Sequence, residues 1–167
     1  MSDSILALDL STTATGWAFA LGSSKPIYGT IKPDRGKATL TARIHFITTQ
    51  INEQFILGAM MPARVVVEDL NMERNLQTVR ALAQLRGAVA FMVWHHLGKE
   101  MEPLNASSIR SMLGIQGGKR EVVKPAVMAN MRLRGYDPKD EDQADALVML
   151  LGTQALDRQN PSRRMAA

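Results

Sequence analysis

Cysteine is absent from this 167-residue chain. Its absence excludes disulfides and thiolate metal sites and suits a reducing compartment such as the cytoplasm. No apolar run reaches the length of a membrane-spanning helix, and the Met1-Ser2-Asp3 start carries no signal-peptide pattern. Internal repeats and low-complexity tracts are also missing. What remains is an ordinary globular composition, 46% apolar, long enough for one domain with a full core. That domain is expected over residues 1–158, and 159–167 reads as a disordered tail. The net charge of +4 favours a polyanionic partner, but many proteins without one share such a balance.

The hydrophobic pattern reads as a mixed α/β fold. Residues 4–10 are continuously apolar up to an acid, as in a central strand covered on both faces. Thr15–Leu21 and Ile27–Ile31 follow as two more strands around a Gly22–Pro26 turn, so an antiparallel meander is expected. Leu40, Ile44, Ile47, Ile51 and Phe55 recur at helical spacing. A strand at Arg64–Asp69, a helix at Leu76–Leu97 and a short strand at Met101–Leu104 come next. Asn105-Ala106-Ser107-Ser108 is a helix-start signal. Helices at Glu121–Leu133 and Glu141–Leu156 close the domain. The order β-β-β-α-β-α-β-α-α predicts a mixed five-stranded sheet with helices on both faces. In such sheets, ligands sit beyond the carboxyl ends of the central parallel strands, where Asp9 and Glu68 are expected.

Three apolar segments carry acids in the same manner: Ile5-Leu6-Ala7-Leu8-Asp9, Val65-Val66-Val67-Glu68 and Asp142-Gln143-Ala144-Asp145-Ala146-Leu147. A carboxylate tied to a buried element is costly unless a cation meets it. Hard divalent ions such as Mg²⁺ and Mn²⁺ favour carboxylate oxygens. A pair of them can activate water and stabilise a leaving oxygen in phosphodiester hydrolysis. Asp142 and Asp145 are three apart and share one helix face. Each acid also has an ordinary explanation. Asp9 suits a turn at a strand end, and Glu68-Asp69 suits a loop edge. Asp142 suits a helix start, whose dipole favours negative charge. The combination, in this order and on these elements, is more specific than any member.

These stretches, with Thr15-Gly16-Trp17 and Ala88-Val89, resemble the RuvC family of Holliday junction resolvases in the ribonuclease H-like superfamily. The resemblance spans roughly residues 4–155 and keeps the motif order. It implies that Asp9, Glu68, Asp142 and Asp145 are catalytic acids holding two Mg²⁺ or Mn²⁺ ions. It also implies that Lys119 matches a catalytically important basic residue, and that a homodimer nicks a four-way DNA junction in pairs. The chain departs from the family at Leu10-Ser11, where Pro-Gly is common. It departs again at Asn71, where some members carry an aromatic residue that probes the junction. The lean form resembles the more divergent resolvases of phages.

Arg74, Arg80 and Arg86 lie on or near the second helix, and Arg110, Lys119, Arg120 and Lys124 surround the Gly117-Gly118 hinge. Phosphate contacts by such residues would supply affinity and its salt dependence. Any one of them alone also suits a solvated surface. The second helix is apolar on two sides. Leu76, Val79, Ala83, Ala90 and Val93 form one stripe, and Leu82, Leu85, Val89 and Met92 another. One stripe is expected on the sheet and the other on the same helix of a second subunit, approached through Ala83, Gly87 and Ala90. His95-His96 is not expected to share a metal, because adjacent helical residues point apart. Ser11-Thr12-Thr13 resembles a phosphate-gripping turn. Three other readings stay open: a non-catalytic junction-binding protein, a YqgF-type nuclease acting on RNA, and an ATP-binding relative of the actin-like fold.

Overall fold

A computed structural model describes residues 4–34, 36, 38–58, 60–70 and 75–160. The strands are β1 (Ser4–Asp9), β2 (Thr15–Leu21), β3 (Ile27–Ile31), β4 (Arg64–Glu68) and β5 (Glu102–Leu104). They form one sheet in the order β3-β2-β1-β4-β5. The first three pair antiparallel, whereas β1–β4 and β4–β5 pair parallel. The mixed five-stranded sheet is as expected. The expected tail is only partly covered, since 161–167 lies outside the described residues.

The helices are α1 (Leu40–Ile51), α2 (Leu76–Leu97), α3 (Ala106–Met112), α4 (Arg120–Leu133) and α5 (Glu141–Gln159). The α1 stripe runs on through a wider π-type turn, Asn52–Ile56, which keeps Phe55 buried with Ile47 and Ile51. Thr39, Asn75, Asn105 and Asp140 cap α1, α2, α3 and α5 by accepting an amide hydrogen bond. The Asn105 signal starts a helix of its own. Three helices therefore follow β5, one more than the expected order.

Alternation along the strands sorts the core into two layers. Leu6, Leu8, Phe19, Val65 and Val67 face α1 and α2. Ile5, Ala7, Ala18, Ala20 and Val66 face α3, α4 and α5. On β2 the second set is all small, because Gly16, Ala18 and Ala20 alternate with Trp17 and Phe19. Helix α5 lies on this shallow face and buries Ala144, Ala146, Leu147, Val148, Met149 and Leu150. A Cβ at Gly16 would stand 2.0 Å from the Asp142 carbonyl oxygen and 2.5 Å from its carbon. Only glycine admits the first turn of α5 there.

The other end of α5 is held by charge. Buried Arg64, at the start of β4, donates to Asp157 at 2.6 Å and to both carboxylate oxygens of Glu102 at 2.6 and 2.7 Å. Removing one partner would leave a buried charge uncompensated, which costs about 3–5 kcal/mol.

Gly16→Ala is expected to lower the unfolding free energy by about 1–3 kcal/mol, because backbone rather than a flexible side chain must yield. Urea denaturation measures this. An unchanged midpoint, with unchanged amide resonances over residues 140–145, would show that α5 does not seat on β2.

Candidate active site

The strand period aims both strand acids at the α5 side. Ile5, Ala7 and Asp9 share one face of β1, and Arg64, Val66 and Glu68 share the same face of β4. Leu8 pairs with Val67, so Asp9 and Glu68 end adjacent parallel strands at one level. Asp142 in the first turn of α5 and Asp145 in the second complete the group. All four acids line one cleft of about 710 Å³. Ser11, Thr13, Arg110, Arg120 and Lys124 are also on its walls.

Asp142 lies in the first turn of α5 but does not cap it. Asp140 takes that role, accepting from the Gln143 amide at 3.0 Å, from the Thr30 hydroxyl at 2.9 and 3.0 Å, and from Lys32 at 2.9 Å. Burial pushes the Asp140 carboxyl up, but those donors outweigh it and hold the group below its ordinary value. Tyr28 accepts from the Asp137 amide at 2.9 Å through its hydroxyl. Tyr28, Thr30 and Lys32 are alternate residues, so one edge of β3 and its continuation clamp the approach to α5.

With Asp140 as cap, Asp142 is left toward the cleft. Burial raises its pKa, and Asp140 and Asp145 add to the rise. Asp9 is more strongly affected. Burial, then the charges of Asp145 and Glu68, push it up to about 7, and Asp142 adds to this while Lys124 opposes it. A carboxyl shifted so far is crowded by like charges in a poorly solvated place.

The basic residues divide. Lys124 was expected at phosphate, but its ammonium pairs with the Asp145 carboxylate and stands 3.8 Å from Glu141. It faces the acids because α4 packs beside α5. Arg110 and Arg120 line the cleft, and Arg120 lies 3.5 Å from Glu141. Lys119 is the exposed N-cap residue of α4, between Gly118 and Arg120, which both line the cleft. Arg80 is exposed on α2, and Arg74 and Asn71 lie outside the described residues. Arg86, expected at phosphate, instead donates to the Glu68 carbonyl at 2.6 Å and pins the end of β4. Its position four after Leu82 and three before Val89 put it on the sheet-facing stripe, a signal present in the sequence.

Ser11, Thr13 and Thr15 bond to one another and to their own backbone, which makes the turn after β1 self-sufficient. His95 and His96 are exposed in the last turn of α2, with His95 stacked on Phe91.

Residues 5–152 match the family described as crossover junction endodeoxyribonuclease RuvC. The chain belongs to the RuvC family. Among curated relatives, RuvC of Erythrobacter litoralis is 27% identical over 158 residues, covering 88% of this chain and 90% of its own. RuvC of Chlorobium phaeovibrioides is 24% identical, covering 88% and 78%. Two solved structures share the fold. Thermus thermophilus RuvC in complex with a Holliday junction substrate superposes with a TM-score of 0.72 at 18% identity, over 94% of this chain and 96% of that one. A second Thermus thermophilus RuvC structure gives 0.70 at 19% identity, over 93% and 96%. The RuvC match takes in all four acids and the basic loop.

The raised pKa of Asp9 has a consequence for stability. The folded chain keeps its proton up to about pH 7, whereas the unfolded chain loses it near 3.8. Stability is therefore full below the unfolded value and falls as the pH rises through the folded one. Asp9→Asn stays neutral throughout. Its stability gain over wild type is expected to grow from pH 4 to 7. Urea denaturation in chelator-treated buffer measures the gap, and a gap that narrows with rising pH would contradict the crowding.

Proposed function

We propose that this chain resolves four-way or related branched DNA by paired nicks, with Mg²⁺ or Mn²⁺, two ions per site, held by Asp9, Glu68, Asp142 and Asp145. The observation that carries this reading is the convergence of four carboxylates from two strand ends and one helix on a single cleft walled by Arg110 and Arg120.

The donor set fits hard divalent ions. All four donors are carboxylates, and Asp9 is raised first by burial and then by the charges of Asp145 and Glu68, which Lys124 opposes. Among the described residues, no three such side chains already close around one point. Mg²⁺ keeps several waters and takes one or two carboxylates together with substrate phosphate. When bound, the ions supply an activated nucleophile and stabilise the leaving oxygen.

The protein side of the reaction follows from placement. Asp9 and Glu68 project from the ends of hydrogen-bonded strands, so their geometry is rigid. Asp142 and Asp145 are fixed by the seating of α5. Arg110 and Arg120 bind phosphates beside the scissile one, with Arg74, Arg80 and Lys124 as further DNA contacts. Lys119 at the mouth stabilises developing charge.

Paired cuts need two clefts. Helix α2 buries Leu85, Val89, Met92 and Val93 and leaves Ala83, Gly87, Phe91 and Trp94 exposed, the last two 71% and 59% accessible. Val93 therefore belongs to the core, not to the outer stripe. The exposed face supports a two-fold dimer through α2, which would present two clefts to one junction. Among the described residues no helix is long and apolar enough to cross a membrane, and the reading places the protein with DNA in the cytoplasm.

The test is Mg²⁺-dependent cleavage of a synthetic four-way junction, compared with linear duplex and Y-forks. Symmetric paired nicks are expected on the junction. Asp9→Asn and Glu68→Gln are each expected to lower cleavage by about two to three orders of magnitude or more while junction binding survives. Binding without Mg²⁺-dependent nicking by the wild type, or undiminished cutting by Asp9→Asn, would overturn the assignment.

A further inference from the structure

We infer that Lys124 is a built-in counter-ion for the acidic cleft, one that competes with a divalent cation for Asp145. The inference rests on the metal reading above and adds a role for a residue that the sequence assigned only to DNA phosphate.

Three observations meet at this side chain. Its ammonium pairs with Asp145 in the cleft, where the two side chains are only 21% and 18% accessible. Its position is dictated by α4, whose Val123 and Val127 are buried and whose flank packs along α5. Glu141, one turn before Asp145, stands 3.8 Å from the same nitrogen and 51% accessible. The lysine thus has a second, more exposed acid within reach when it leaves the first.

The chemistry is competition. Four carboxylates brought together repel one another, and one ammonium among them offsets part of that repulsion. A divalent cation seeks the same carboxylates, and the ammonium on one oxygen of Asp145 repels it and competes for that negative charge. Loading therefore favours a shift of Lys124 toward Glu141 and the cleft mouth. Released there, its charge faces the region where a DNA phosphate would lie, so the residue passes from protein counter-ion to substrate contact. The expected phosphate contact and the observed Asp145 pair are two positions of one lysine. This role lowers metal affinity in the free protein while keeping the acids together.

The test is Mn²⁺ binding to the DNA-free protein, read as free Mn²⁺ by electron paramagnetic resonance. Lys124→Met and Lys124→Gln are both expected to bind Mn²⁺ about tenfold more tightly than wild type, since a like charge has been removed from beside the ion. A merely structural lysine would give unchanged or weaker binding, and that result in both variants would overturn the inference while leaving the metal reading intact. Glu68→Gln separates the two. It is expected to weaken Mn²⁺ binding, whereas undiminished binding would put the ion elsewhere and overturn both.

Discussion

The close seating of α5 on the sheet is the constraint from which the rest follows. Gly16, Ala18 and Ala20 on β2, with Ala7 on β1, make a shallow face that lets a helix approach the backbone. The Asp142 carbonyl rests where a Gly16 side chain would begin. At the far end, Arg64 ties Asp157 and Glu102 together in a buried ion network. Between those anchors the helix has little freedom, so its second and fifth residues meet the ends of β1 and β4. A helix held even slightly farther out would leave Asp9 and Glu68 without their α5 partners.

Seating the helix this closely concentrates negative charge. Asp9 shows the cost most clearly, with its carboxyl raised by burial and by three neighbouring acids. The fold does not relieve the crowding by moving the acids apart. It invests instead in anchors around the acids, namely the β3 clamp on Asp137 and Asp140, the Arg86 bond to the Glu68 carbonyl and the Arg64 network. Stability of this kind, placed around a site rather than in it, keeps charged groups in an arrangement useful to catalysis.

Much of this was legible in the sequence. Continuous apolar runs that end in an acid put Asp9 and Glu68 at strand ends, and the order of elements gave the mixed sheet. Asp145 stood out because its neighbours are apolar. Asp142 was ambiguous, since an acid near a helix start has an ordinary role. In the structure the cap itself is Asp140, held by donors from β3, a contact between residues 110 positions apart, while Asp142 lies in the first turn and also lines the cleft. Lys124 and Arg86 were visible as basic residues but not as partners of Asp145 and of a backbone carbonyl. Charge patterning marks a cation without marking what it meets. On α2 the expected set Leu85, Val89 and Met92 is buried, but Val93 of the other stripe is buried with it, and exposed Phe91 and Trp94 belong to neither stripe.

The central claim is that the four acids of strands and helix hold divalent cations in one cleft. Anomalous diffraction from crystals soaked in Mn²⁺ tests it most directly. The account predicts anomalous density bounded by the carboxylates of Asp9, Glu68, Asp142 and Asp145. Density confined to other places, with these four carboxylates unliganded at saturating Mn²⁺, would contradict it.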